Sequence, residues 1–112
     1  MKTNPNDISL VAIDGRKVLG FIRAIIDEKS AELVAMYVSP YYVGKGIGHT
    51  LWESISKILP TGIRIYVDVA TYTAAVRFYK KIGFQDTGKR SSLCMTKDCK
   101  IVIPTMKLMR IL

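Results

Sequence analysis

Val38-Ser39-Pro40-Tyr41-Tyr42-Val43-Gly44-Lys45-Gly46-Ile47-Gly48-His49-Thr50-Leu51 joins two segments whose hydrophobic periods differ. Before it, Ala31 to Val38 is a β-like apolar run that Ser39-Pro40 stops. After it, Ile47, Leu51, Ile55 and Ile58 or Leu59 recur at helical spacing, which predicts an amphipathic helix from Gly46 onward, ended by Pro60 and Gly62. Between the two, three glycines at every second position allow the backbone to curl tightly. Its amides then point into one concavity, beside the positive end of the helix dipole. Such a turn either cradles an anionic phosphate, with Lys45 and His49 beside it, or simply connects strand to helix. The spacing is neither that of a P-loop nor that of a dinucleotide-binding G-x-G-x-x-G.

Upstream, Leu10 to Ile13 runs into Asp14-Gly15, which suits a type I′ hairpin turn, and a second β-like run follows from Lys17 to Ile26. The polar cluster Asp27 to Ser30 reverses the chain into 31–38, so three antiparallel strands form a meander. Downstream, Ile63, Ile65, Val67 and Val69 alternate with polar residues, giving a strand parallel to 31–38 through a right-handed crossover. A second helix follows, with Thr71 or Thr73 as N-cap and Ala75, Phe78, Tyr79 and Ile82 on one face. Gly83 suits the left-handed position beyond it, with Phe84 packing back on the last turn. Residues 85–92 are polar, and the apolar segments around Leu93 to Met95 and Ile101 to Leu112 read as closing strands. Pro104 points to an edge or a bulge in the last one.

With 112 residues, the whole of 1–112 is expected to form a single domain around one core. Hydrophobic residues are 49% and charged residues 23%, which excludes disordered and collagen-like classes. The net charge of +8 is unevenly placed. Residues 1–42 carry five basic and five acidic side chains, whereas residues 43–112 carry twelve basic and four acidic. An anionic ligand is therefore expected at the second part. Most basic residues there are spread singly and no nucleic-acid-binding motif accompanies them, which disfavours nucleic acid as partner. Cys94 and Cys99 have four residues between them and lack the further ligands of a zinc site, so no metal is expected, and a reduced pair is the simplest reading. No apolar run reaches a membrane span and the start is polar, so no membrane association and a cytoplasmic location are expected.

The stretch Val38 to Leu51 resembles the acetyl-coenzyme A signature of the GNAT family of N-acetyltransferases, V-x-P-x-x-R/Q-G-x-G-x-G/A. Ala75-Val76-Arg77-Phe78-Tyr79-Lys80-Lys81-Ile82-Gly83-Phe84 resembles that family's second signature, A-x-x-F-Y-x-x-x-G-F. The resemblance covers roughly residues 10–112. It implies an α/β (α+β) fold: a mixed, largely antiparallel twisted sheet with a central parallel βαβ splay, as in acyl-CoA acyltransferases. It also implies acetyl-CoA as co-substrate. By resemblance, the backbone of Met36, Tyr37 and Val38 pairs with the pantetheine arm. The amides from Val43 through Gly44, Lys45, Gly46, Ile47 and Gly48 to His49 hold the pyrophosphate, and an amide near Tyr37 polarises the thioester carbonyl. Tyr79 matches the tyrosine that protonates the leaving thiolate; read as packing alone, it is a core aromatic. Glu32 matches the strand position of the glutamate that histone-type members use as a base; read structurally, it is a solvated carboxylate just past a turn.

Two positions depart from the pattern. The Arg or Gln at the head of the loop is Val43, and the helix-entry Asn is Tyr72, which can still reach the coenzyme by its hydroxyl or ring. Lys45, His49, Arg77 or Lys80 are the cations available to replace the lost phosphate contact. Three readings remain open: an acetyltransferase acting on an amine, a non-catalytic acetyl-CoA-binding module, and a structural assembly partner. Only Met1 to Ser9 precede the first hairpin, where the family has a strand and one or two helices. An open acceptor cleft, a polypeptide acceptor, or a homodimer that completes the cleft is the expectation from that length.

Overall fold

The computed structural model describes residues 5–112. Three strands open the chain: β1 (Asp7–Asp14), β2 (Lys17–Ile26) and β3 (Ser30–Val38), followed by a single 3-10 turn at Pro40–Tyr42 and helix α1 (Ile47–Ile58). Then come β4 (Arg64–Ala70), α2 (Ala74–Lys81), β5 (Gln85–Cys94) and β6 (Val102–Ile111). The strands hydrogen-bond in the order β1-β2-β3-β4-β6-β5. β1 with β2, β2 with β3 and β5 with β6 are antiparallel. β4 and β6 also run antiparallel, as the bonds Leu112 N–Ile63 O and Thr71 N–Pro104 O show. The parallel pair is therefore β3 and β4, joined through α1. The expected mixed, largely antiparallel sheet with one parallel pair is the observed one.

By compactness the chain forms two units. One takes the chain up to Ile65 together with Ile111–Leu112, and the other is Tyr66–Arg110. In the first, α1 presents Leu51, Trp52 and Ile55 to the interior, where Ile22, Ala24, Ala31 and Leu33 are also buried. Fully burying a side chain such as Ile55 contributes about 1.5–3 kcal/mol. In the second unit the buried positions are Val67, Val69, Tyr79, Ile82, Phe84, Met106 and Leu108. The predicted hydrophobic faces of both helices and of β4 are the buried ones.

Four local expectations are corrected. The first hairpin turns on Gly15 and Arg16, with Asp14 opposite Lys17, and only Gly15 has positive φ. That is the pattern of a type II′ turn rather than type I′. β5 begins at Gln85, inside the stretch whose polarity reads as loop, because it pairs with β6 and is exposed along nearly all its length. Pro104 lies in β6, an interior strand. Its carbonyl accepts from Thr71 N, just past the end of β4, so its missing N–H falls where that ladder stops. Cys94 and Cys99 form a disulfide. The turn between them, with Cys99 at φ 54 and its amide bonded to Thr96 O, brings their Cα atoms within 5.0 Å, inside disulfide range.

Candidate functional site

The strand-to-helix turn is built from its glycines. Ser39 N bonds Leu19 O at 2.8 Å, which ends the β2–β3 ladder, and Tyr42 N and Lys45 N then bond Ser39 O and Tyr42 O as the backbone curls. Gly44 and Gly46 have φ of 83° and 81°, in the left-handed region where a side chain is disfavoured. A Cβ at either would meet nothing within 4 Å, so backbone conformation rather than space requires glycine there. Gly46 is the N-cap of α1 and offers no side-chain cap. The helix ladder begins with Thr50 N–Gly46 O at 2.9 Å, leaving the amides of Ile47, Gly48 and His49 with no acceptor inside the helix. No acidic residue stands in that first turn, so the positive dipole end is uncompensated. Lys45 Nζ lies 5.8 Å from the Tyr42 ring centroid. His49 Nε2 is 2.9 Å from Glu53 Oε1, one helical turn further on. Val43, at the head of the turn, is exposed.

β3 leads into this turn with its side chains re-aimed by a bulge. Arg23 pairs with Ala35 and Ala24 with Leu33, so Val34 is the extra residue. Without the bulge, strict alternation would put Leu33 and Met36 on opposite faces. With it, Leu33, Met36 and Val38 lie opposite Ala24, Ile22 and Gly20, on the side that α1 covers. Tyr37 points the other way and packs on Phe21, ring centroids 5.7 Å apart. Glu32, opposite Ile25, is exposed on the same outer side as Tyr37. A Cβ on Gly20 would overlap the Tyr37 carbonyl and stand 3.3 Å from Leu51 Cδ1. Gly20 therefore lets β3 and α1 close on β2.

The second unit holds the other two sequence-predicted residues. Tyr72 is exposed just before α2, and Thr73 is the N-cap, its hydroxyl turned back to Ala70 O at 2.9 Å. Tyr79 is buried in the last turn of α2, between the rings of Phe78 and Phe84, each 5.3 Å away and edge-on. Loss of hydration raises its phenol pKa to about 12. Gly83 follows at φ 102, Phe84 N bonds Tyr79 O at 2.9 Å, and the Arg110 guanidinium donates to the Ile82 carbonyl while lying against Gly83. The helix end that carries Tyr79 is thus fixed on several sides.

The first unit accordingly carries Met36 to Val38 leading into the turn from Val43 to His49, with Glu32 at the far end of β3, and the second carries Tyr72 and Tyr79. Two contributors escape sequence reasoning. Gly20 is visible only as a glycine inside an apolar strand, a sign of close backbone approach. Glu53, the tether of His49, is visible only as an i,i+4 partner.

Comparison with known proteins agrees with this layout. Among solved structures the fold is similar to that of the ribosomal-protein-S18-alanine N-acetyltransferase from Escherichia coli, with TM-score 0.77 and 19% identity over 97% of this chain and 71% of that chain. It is similar to an IAA acetyltransferase from Bacillus cereus ATCC 14579, with TM-score 0.77 and 20% identity over 96% of this chain and 79% of that one. It is also similar to PaiA N-acetyltransferase from Thermoplasma acidophilum, solved with coenzyme A, with TM-score 0.72 and 23% identity over 96% of this chain and 62% of that one. No curated protein sequence matches. A family model described as an acetyltransferase (GNAT) domain matches residues 5–86, which include the glycine turn and α2. On that match and the fold that carries it, the chain belongs to the GNAT family of acetyltransferases.

Proposed function

We propose that the chain transfers an acetyl group from acetyl-CoA to an amine by direct attack, with no acyl-enzyme. The observation that carries this reading is the uncapped N-terminus of α1, where Gly44 and Gly46 hold the backbone so that successive amides face one anion. The donor set suits a diphosphate: neutral amides and a dipole end, with Lys45 and His49 adjacent and no carboxylate in the first turn. Acetyl-CoA brings the activated acyl group as a thioester. The backbone of Met36 to Val38 orients its arm, the Tyr37 region supplies an amide to the carbonyl oxygen as charge develops, and Tyr72 contacts the coenzyme.

The amine must reach the thioester with its lone pair free, and alkylamines titrate near 10.4, so a proton has to be removed at neutral pH. Glu32, about 14 Å along the strands from the Tyr37 row, takes that proton through bridging water. The C–N bond forms as the C–S bond breaks, and Tyr79 gives its hydroxyl proton to the departing sulfur. A phenol at about 12 is a weaker acid than a thiol in water, near 8.5, so the transfer runs uphill unless the thiolate is equally dehydrated. Burial of Tyr79 supports that condition, since the same dry surroundings raise the thiolate's basicity. Regeneration is complete when Tyr79 is reprotonated from solvent. Cys94 and Cys99 are joined to each other, which removes both as nucleophiles.

The acceptor is an amine on a small molecule or a polypeptide. Calorimetric titration with acetyl-CoA, followed by a thiol-release screen over amines, polyamines, amino acids and peptides, tests the reading. Binding with turnover on at least one amine is expected; no binding at millimolar acetyl-CoA overturns it. A non-catalytic acetyl-CoA-binding module is the second reading, favoured by Val43 where the family pattern has Arg or Gln. Tight binding without release of thiol on any acceptor selects it.

A further inference from the structure

An antiparallel sheet with one covered face normally reads apolar inward and polar outward. β1, β2 and β3 break that rule. α1 covers the side that carries Ile22, Ala24 and Leu33, yet the opposite side is apolar as well along its Val11, Ile13, Val18, Phe21 and Tyr37 end. Val11, Ile13, Val18, Phe21 and Tyr37 all point outward and are 38–62% exposed. The register sets them in two neighbouring rows, Val11–Phe21–Tyr37 and Ile13–Val18. Ile25 adds a further exposed apolar side chain along β2. At ~150 Å² for Val or Ile and ~200 Å² for Phe or Tyr, these six leave roughly 470 Å² of apolar surface in water, in the range of the largest and often functional patches of a protein surface.

We propose that this face is an isologous interface between two copies of the chain, packed sheet on sheet. Charge points to a copy rather than to an oppositely charged partner. The basic excess lies wholly in residues 43–112, while residues 1–42 balance at five and five. On the face itself Arg23 is held by Asp7 through two bonds of 2.9 and 2.6 Å, and Glu32 stands at the far end by the β2–β3 turn. A nucleic acid, an acidic protein or an anionic membrane finds no unpaired cation in the apolar rows. The area also agrees: with the interleaved polar residues, two such faces together reach the ~1,000 Å² in total that a specific interface needs. A three-stranded surface is the shape a second sheet covers, and a two-fold axis through Phe21 and Tyr37 makes it self-complementary. Glu32 and its cross-strand partner Ile25 lie about 14 Å along the strands from the Tyr37 row, so an interface centred on the apolar rows has both at its rim.

Light scattering and sedimentation from micromolar to submillimolar protein test the proposal, which stands independently of the coenzyme reading. A dimer is expected, strengthened or unchanged by added salt, because salt screens the repulsion of two copies of net charge +8. Val11→Asp is expected to raise the dissociation constant at least tenfold while keeping the native circular dichroism. Leu93→Asp, at an exposed apolar position on β5, is expected to leave it unchanged. Should Val11→Asp fail to fold, hydrogen exchange on the unaltered chain gives the answer: amides of β1 and β2 slow with rising concentration while those of β5 do not. A monomer at every concentration, dissociation by Leu93→Asp but not by Val11→Asp, or concentration-dependent protection confined to β5 overturns the proposal.

Discussion

Tyr79 and Glu32 occupy opposite electrostatic settings, one phenol packed between Phe78 and Phe84 and one carboxylate exposed on the outer side of β3. Replacing Tyr79 by Phe removes one oxygen from a site that already packs as an aromatic. The expected result is a fall in kcat of about 100-fold or more with coenzyme affinity within a few-fold, measured by steady-state kinetics and calorimetry. Equal turnover in Tyr79→Phe would leave the residue as packing alone. Replacing Glu32 by Gln leaves only the amine's own ionisation to supply a lone pair. The deficit, about 10- to 100-fold near neutrality, should therefore shrink as pH rises toward the amine's value near 10. A deficit that is constant with pH would remove Glu32 from proton transfer. Both candidates were picked out from the sequence, Tyr79 by its place in the motif Ala75 to Phe84 and Glu32 by its position in the strand 31–38. The state of Tyr79 was not, because its raised pKa comes from neighbours that enclose it in space.

α1 and β5 show what an element adds to its residues. The N-terminus of α1 owes its backbone geometry to Gly46 at φ 81°, and a Cβ there costs about 1 kcal/mol in backbone strain alone. Gly46→Ala is expected to weaken acetyl-CoA binding by about tenfold or more, read by calorimetry, while stability falls by only that strain. Unchanged affinity would separate the turn from the coenzyme. β5 carries a bulge in which Asp86 pairs with Leu108 and Arg90 with Met106. Asp86 organises it, accepting from both terminal nitrogens of Arg90 and from Gly88 N, and these bonds hold its carboxyl down to about 2. Because the folded value lies below the unfolded one near 3.9, the bulge is fully supported above about pH 4 and loses that support as pH falls toward 2. The protection of the Gly88 amide relative to its intrinsic exchange rate should fall through that window in the unaltered chain, and Asp86→Ala should leave it unprotected at every pH. A flat profile in the unaltered chain would show that the pair does not order the bulge. Residues 85–92 of β5 were illegible because an edge strand exposed on both faces carries no alternation, and pairing with β6 is what makes them a strand.

At the scale of the whole chain, ligand binding and folding are linked. Acetyl-CoA at 100 times its dissociation constant should stabilise the native state by about 2.7 kcal/mol, seen as a concentration-dependent rise in melting temperature. A melting temperature that does not move with acetyl-CoA would contradict the proposed function. The order of the elements, the parallel crossover through α1, the two helices and the glycine turn all followed from the amino-acid sequence. These depend on periodicity, φ preference and chain breakers, which neighbouring residues set among themselves. Tertiary structure alone decided that Val34 bulges, that Gly20 admits the Tyr37 carbonyl, that Cys94 meets Cys99 and that Pro104 sits in an interior strand. It also decided that the meander is apolar on both faces at its Phe21 and Tyr37 end. Each of these depends on which atoms lie across a strand or a turn, and that distance is fixed only when the chain has folded.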